Sequence, residues 1–301
     1  CNSAFRQNVT GGEGGAISNK ESYVDVYSCL FWNNLANNGA CIASRLSEEI
    51  KIYNSLMTRN TVNNLGGCLY NFGCTETQVT NSTLVDNRAN GFYGGAISSI
   101  GSLIDDSTRR DLNIDNSILW GNLATLVSNN QIYLKNCNLN LNSNSIIELG
   151  TTDDAGIVTD GTSPVDDKKY ILISDPLFVD PNSLDYKLQQ GSPAINQGDN
   201  ELVPLCLRSD LTCHQPRIIC EVVDLGAFES GFCAEPQDLC KGDFNGDTFV
   251  NYLDLMGLFE YINGFPANYT PVDSGNRHLD INDDNVINFL DMMALYQIVK
   301  P

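Results

Sequence analysis

GGCLYNFGCTETQVTNSTLVDN, residues 66–87, sets two short runs of alternating apolar residues between a glycine pair and a closing asparagine. The same plan stands before and after it. GGAI at 14–17, GACI at 39–42 and GGAI at 94–97 align with its opening. VYSCLFWNN at 26–34, IYNSLMTRN at 52–60 and IDNSILWGN at 114–122 align with VTNSTLVDN at 79–87. Copies of this second series lie 26, 27 and 35 residues apart, the last spacing swollen by the polar insertion GSLIDDSTRRD. A period of that length, built from strand-like pieces, predicts a solenoid.

Alternation selects strands over helices. Val24 and Val26, Ile50 and Ile52, Thr77 and Val79, and Leu112 and Ile114 share one face, with polar residues between them. Phe31, Met57, Leu84 and Leu119 make a second apolar column, and Ile17, Ile42, Leu69 and Ile97 a third. Three inward columns at fixed offsets describe a coil of parallel strands, each rung about 4.8 Å above the last. Asn34, Asn60, Asn87 and Asn122 close the second segment of each rung; they are expected in the left-handed conformation of a sharp corner, their amides bonding up and down the stack. Asn54, Asn81 and Asn116 are expected as a further, inward-facing column. Cys41 and Cys68 share a slot in successive rungs, within reach of a disulfide if the side chains face each other.

CNSAFRQN at the start fits the tail of the same template, with Phe5 and Asn8 in the FxxN slots. The chain is therefore read as opening in mid-rung, which disfavours Cys1 as a lipidated tether. The open rung is expected to be covered by further sequence or paired with another molecule, so homo-oligomers by end-to-end stacking, and fibres, stay open. GGAI with FWNN and FRQN resembles the repeats of polymorphic outer-membrane proteins and related surface proteins. That resemblance, over about residues 1–122, implies a right-handed parallel β-helix at a cell surface.

A fifth rung is expected in IYLKNCNLNLNSNSII, after which the period fails. DPLFVDPNSLDYKLQQGSPAINQGDN at 175–200 and VDLGAFE at 223–229 then resemble the end of the choice-of-anchor group of β-helix proteins. Arg217, Asp224, Gly226, Ala227, Phe228 and Glu229 carry the match, while SDLTCHQPR departs from the family's loop. The resemblance implies a last coil and a cap shielding the hydrophobic column. The expected division is rungs over 1–147, last coil and disulfide-rich cap over 148–237, and a separate module over 238–301.

Composition narrows the setting. The chain has 301 residues and a net charge of −20 with only 18% charged residues, which argues against nucleic acid or an anionic membrane as partner. Its 36 asparagines, 25 of them in the first 150 residues, would suggest disorder without the regular apolar spacing. Eleven cysteines without a CxxC pair suit disulfides in an exported protein, with five crowded between Cys206 and Cys240. No apolar run reaches membrane-spanning length. Asn8, Asn81 and Asn268 lie in glycosylation triplets.

DFNGDTFVNYLD at 243–254 spaces oxygen ligands as a calcium loop does. Asp243, Asn245, Asp247, Asn251 and Asp254 take ligand positions 1, 3, 5, 9 and 12, with the Phe249 carbonyl at 7. DINDDNVINFLD repeats the pattern 37 residues later with Asp280, Asn282, Asp284, Asn288, Asp291 and the Val286 carbonyl. An apolar helical stretch follows each loop. Thr248 and Asn285 stand where a full EF-hand has glycine. Duplicated loop–helix halves of this kind resemble a dockerin, which implies two calcium ions and binding to a cohesin. Tyr252, Leu253, Phe289 and Leu290 occupy the positions that help to set partner choice in that family. Their bulk departs from its frequent Ser–Thr pair, so a cohesin-like partner and self-association both stay open.

Chemistry is less well marked. Carbohydrate-active β-helices stack acids on outward faces of neighbouring rungs. The outward columns Asp25, Lys51, Gln78, Asn113 and Tyr27, Tyr53, Thr80, Asp115 offer no carboxylate pair. Asp105, Asp106, Arg109 and Arg110 in the insertion are the best loop candidates, weighed against a solvated loop. His214 and His278 read as surface or cap residues; Trp32 and Trp120 share a corner slot suited to packing or to stacking on sugars. The chain is thus expected to be mainly β, a parallel β-helix followed by a small α-helical calcium-loop domain. It reads as a secreted, non-catalytic surface or matrix protein, structural or adhesive. The alternative is a dockerin-borne polysaccharide lyase or glycoside hydrolase, and extracellular polysaccharide is a possible ligand under either reading.

Overall fold

The structure is a computed structural model that describes residues 3–101, 110–125, 131–149, 156–161, 163–165, 168–205, 207–213, 215–219, 221–232, 252–263, 270–271, 279–282 and 286–299. The apolar columns of the repeat stack as their alternation predicts. Phe31 pairs in parallel register with Met57, Met57 with Leu84, Leu84 with Leu119, and Leu119 with Ile147. Ile17, Ile42, Leu69, Ile97 and Ile132 form a second stack. Val24, Ile50, Thr77, Leu112 and Leu139 form a third. The result is a mainly β, parallel solenoid of about five turns. Its parallel sheets contain seven, six, five and four strands among the described residues. From the second rung on, the inward aliphatic side chains are fully buried, each contributing about 1.5–3 kcal/mol relative to exposure, while Ile17 and Val24 at the open end are partly buried. Ala36, Val62, Ala89 and Ala124 fill the narrow fourth corner, where larger side chains would push the walls apart.

The fifth rung forms as expected, and the stack continues beyond it. Ile157–Thr159 pairs with Ile132–Leu134, and Ile171–Leu172 pairs with Ser145–Ile146. Strand addition needs only backbone groups and an inward apolar residue, so pairing outlasts the visible motif. At the other end Phe5 stacks on Phe31 with ring centroids 4.7 Å apart, and Asn8 Nδ2 donates to Asn34 Oδ1 at 2.8 Å.

The asparagine column forms the expected ladder in a different backbone conformation. Asn34 Nδ2 donates to Asn60 Oδ1 at 2.9 Å, Asn60 to Asn87 at 3.0 Å, and Asn87 to Asn122 at 2.8 Å. Each acceptor oxygen also takes the backbone N–H of the Asn one rung earlier. The left-handed residues are the ones immediately before: Asn33, Arg59, Asp86 and Gly121. They make the sharp corner, leaving the ladder asparagines at ordinary φ with their amides turned inward. Asn87→Ala should cost roughly 2–4 kcal/mol in urea unfolding, because it leaves the buried N–H of Asn60 without its acceptor and removes the donor of Met57 O, Val85 O and Asn122 Oδ1.

Asn54, Asn81 and Asn116 are not inward-facing. They adopt left-handed φ of 50°, 48° and 49°, and Asn54 and Asn116 bond to a segment lying outside the coil. Asn54 Nδ2 donates to Ser209 O at 3.1 Å, and Asn116 Nδ2 to Asp199 O at 2.9 Å. The glycosylation triplet at Asn81 is closed in the fold, since Asn81 is fully buried.

That segment corrects the expected end cap. The described residues between 176 and 229 run as a strap along the flank of the solenoid. Phe178, Tyr186, Leu188, Ala194, Leu225, Ala227 and Phe228 cover the outward side chains Leu56, Val85, Ile118 and Ile146. Leu56, Ile118 and Ile146 share a column with Thr83, while Val85 stands two residues along, level with Thr58 and Trp120; their strands carry apolar residues on both faces, so the outer face needs a cover other than the coil's own core. Tyr186 OH donates to Asp86 Oδ2 at 2.8 Å and lies 2.8 Å from Thr58 Oγ1. Gly226 N donates to Asn116 O at 2.7 Å. Gly226 has φ +90°, and a Cβ there would sit 2.6 Å from Thr83 Oγ1, so only glycine lets the strap approach this closely. Arg217 locks the strap. Its Nη2 donates to Asp224 O (3.0 Å) and Gly226 O (2.8 Å), its Nη1 donates to Asn54 Oδ1 (3.2 Å), and Glu229 lies 3.2 Å away. Burial pushes the Glu229 carboxyl well up, and the Arg217 charge opposes the rise.

Cys41 and Cys68 occupy one slot as expected but are free, buried thiols. Parallel stacking holds their Cβ atoms about 4.8 Å apart, beyond the usual disulfide separation. Burial drives the Cys68 thiol well above its ordinary range. Cys29, Cys74, Cys137 and the exposed Cys213 are also free, while Cys1, Cys206, Cys220, Cys233 and Cys240 lie outside the described residues.

Candidate metal centre

Two helices organise the C-terminal module: α1 (Tyr252–Asn263) and α2 (Phe289–Val299). Leu255, Leu258, Ile262, Leu279, Ile287 and Leu295 form an apolar cluster drawn wholly from this module. Val286–Ile287 pairs antiparallel with Thr270–Pro271, which pins the second loop just before α2.

Asp291 closes that loop. It lies in the first turn of α2 and is fully buried. Its Oδ1 accepts the N–H groups of Ile281 (2.8 Å) and Asn282 (3.3 Å), and its Oδ2 accepts that of Asn288 (2.7 Å). One carboxylate thus gathers both ends of the twelve-residue stretch. Asn288 Oδ1 accepts Leu290 N–H at 2.7 Å and satisfies a donor at the helix start. Burial pushes the Asp291 carboxyl up, the three N–H groups draw it down, and the nearby Asp280 charge adds to the rise. Asp280 is itself buried, at 4% exposure.

Two buried carboxylates in one loop, with amide oxygens at Asn282 and Asn288 and the Val286 carbonyl between them, are donors of the kind a hard divalent cation takes. Calcium bound there would neutralise the paired charge and fill its coordination with loop oxygens. The fit is chemical: Asp280 and Asp291 are brought together, while Asp284 lies outside the described residues, as do Asp243, Asn245, Asp247, Phe249 and Asn251 of the first loop. Tyr252, Leu253 and Asp254 fall in the first turn of α1. Phe289 and Leu290, expected at a partner surface, are 55% and 58% exposed. Met293 and Tyr296 extend the exposed strip from Phe289 at helical spacing.

On the solenoid the two polar columns stand in register as predicted. A third, just upstream, is a carboxylate column that sequence reasoning missed: Glu49, Glu76 and Asp111 pair across three rungs. Extending the alternation one step toward the N-terminus of each strand would have found it. Each of these carboxylates is engaged. Glu49 lies 2.7 Å from Lys51 Nζ, Glu76 Oε1 accepts Asn113 Nδ2 at 2.8 Å, and Asp111 Oδ1 accepts Asn138 Nδ2 at 2.6 Å. Arg110 Nη1 donates to Thr75 Oγ1 at 2.9 Å. Asp105, Asp106, Arg109, His214, His278 and Asn268 lie outside the described residues. Trp120 packs partly buried against the strap's apolar cluster. No described helix is long and apolar enough to cross a membrane.

Residues 241–300 match the family model described as the dockerin type I domain. No curated protein and no solved structure matches the chain.

Proposed function

We propose, of a chain whose residues 241–300 are a dockerin type I domain behind a parallel β-solenoid, that it is an extracellular, non-catalytic recognition rod attached to a scaffold through a calcium-loaded dockerin. Dockerin domains of this type bind calcium and dock on cohesins, and proteins bearing them are typically extracellular or attached to a cell surface. The observation that carries the non-catalytic reading is the outward carboxylate column, in which Glu49, Glu76 and Asp111 each already hold a side-chain partner. A rigid stack of this kind suits spacing and display. Assays on neutral and acidic polysaccharides should yield no new reducing ends and no unsaturated products; clear turnover would favour the lyase or hydrolase alternative.

The attachment surface centres on Phe289 and Leu290. Large exposed apolar residues at a helix start are typical anchors, and such anchors carry most of an interface's energy. Calorimetric titration with a type I cohesin should show calcium-dependent binding. Phe289→Asp with Leu290→Asp should weaken it by roughly a hundredfold or more, since each buried charge costs several times RT. Undiminished binding would place the interface elsewhere.

A further inference from the structure

Between the strap and one corner of the solenoid lies a cavity of about 360 Å³, lined among others by Asp86, Trp120, Gly121, Asp175, Phe178 and Gln189. Its floor follows from the corner column. The residue just before each ladder asparagine is Arg59, then Asp86, then Gly121 on successive rungs, and on the next rung Glu148, level with Trp120 after Ile147, turns its side chain toward Gly121. Gly121 is thus a side chain missing from a stacked column, and the rungs on either side reach toward the vacated space. A Cβ on Gly121 would sit 2.7 Å from Asp86 Oδ1. Glu148 Oε2 accepts the Gly121 N–H at 2.7 Å and Gln131 Nε2 at 3.1 Å. Tyr186 OH holds the other oxygen of Asp86. Burial raises the Glu148 carboxyl, the Gly121 N–H lowers it, and the charges of Asp175 and Asp86 raise it further.

The strap supplies the opposite wall. Phe178 stands edge-on to Tyr186 with centroids 5.3 Å apart, and Gln189 is fixed by donating its Nε2 to Phe178 O at 2.7 Å. Asp175 is oriented by accepting the Leu177 N–H at 2.9 Å. The cavity is therefore bounded by an indole from the solenoid and by a phenyl ring, an amide and carboxylate oxygens, with Asp86, Asp175 and Gln189 each fixed by a hydrogen bond.

We propose that this cavity binds one unit of a neutral saccharide chain. A sugar ring presents an apolar C–H face, which suits the indole of Trp120, and a rim of hydroxyl donors, which suits carboxylate oxygens. The volume lies at the small end of ligand pockets, matched to a single ring. Charge excludes other saccharides: Asp86, Asp175 and Glu148, in a chain of net charge −20, repel uronic acids and phosphorylated sugars. A metal cage fits less well, since no three metal-capable side chains converge among the described residues. The inference rests on the recognition-rod reading and gives the rod a ligand class; its test uses no cohesin, so failure of one leaves the other standing.

The chain contains two tryptophans, Trp32 and Trp120. Trp32→Phe in the full chain leaves Trp120 as the only indole, and its fluorescence reports on the cavity directly. Titration with cellohexaose, xylohexaose and mannohexaose should give a saturable change with at least one of them, and none with trigalacturonate. On that background Gly121→Ala, whose methyl group would press on Asp86 Oδ1 and displace this carboxylate of the cavity wall, should weaken binding roughly tenfold or more, as an extra methyl group does in a fitted pocket. Asp175→Ala, an exposed position outside the solenoid, should weaken it without altering the thermal melt. Unchanged fluorescence with all three neutral probes, equal binding of trigalacturonate, or full affinity in both well-folded variants would overturn the proposal.

Discussion

Arg217→Ala is expected to destabilise the protein by about 3–5 kcal/mol and to release the strap from the solenoid. Arg217 is 1% exposed and is the one cation facing the buried Glu229 carboxylate among the described ion pairs. Its removal leaves that carboxylate without compensation and strands the carbonyls of Asp224 and Gly226 and the amide of Asn54. Exposed strap would then be open to protease. Urea unfolding should show the loss in midpoint, and limited proteolysis should map new cuts between residues 175 and 232. A double replacement, Arg217→Met with Glu229→Leu, should recover much of the loss, because it removes both charges together. If Arg217→Ala unfolds at the parental midpoint and resists protease equally, the ion pair does not hold the strap.

Calcium removal should unfold the C-terminal module while the solenoid keeps its β signal. The module's apolar cluster is confined to residues 255–299 and is small, so the loop must supply much of the folding free energy. A ligand at a thousand times its dissociation constant contributes about 4 kcal/mol, comparable with the whole stability of so small a unit. Circular dichroism in excess chelator should lose the helical signal of α1 and α2, and excess calcium should restore it. Asp291→Ala should reproduce the apo spectrum even in calcium, since it removes the ligand proposed at position 12 and three backbone hydrogen bonds together. Asp291→Asn keeps the acceptor but loses charge, and should shift the calcium midpoint upward without abolishing folding. An unchanged spectrum on chelation would show that the module folds without metal.

Parts of this architecture are legible residue by residue. Phe31, Met57, Leu84 and Leu119 could be stacked from their spacing because a coil of parallel strands forces like over like. The dockerin module could be read because calcium loops of its kind call for oxygen ligands at fixed intervals within one short segment. Both are local rules, and both survive in a linear string. Asn34, Asn60, Asn87 and Asn122 show the limit: their ladder was evident, while the left-handed corner falls one residue earlier. Sequence identifies which side chains repeat, but the φ that aims them is set by the whole rung.

The strap and the cavity follow no such rule. Leu56, Ile118 and Ile146 stand in one outward slot that Thr83 interrupts, with Val85 two residues along, and nothing in their spacing says what covers them. That depends on Arg217, Glu229 and Gly226 meeting Asn54 and Thr83 across more than a hundred residues of chain. Likewise Gly121 is one of 25 glycines until Asp86 and Glu148 are seen on the rungs beside it. The sequence alone determined the parallel stack, its inward columns and the dockerin type I module, because each answers to a short-range pattern. The flanking strap, its buried ion pair and the pocket beneath it were decided only by tertiary packing, because they join segments whose separation along the chain carries no periodic signal.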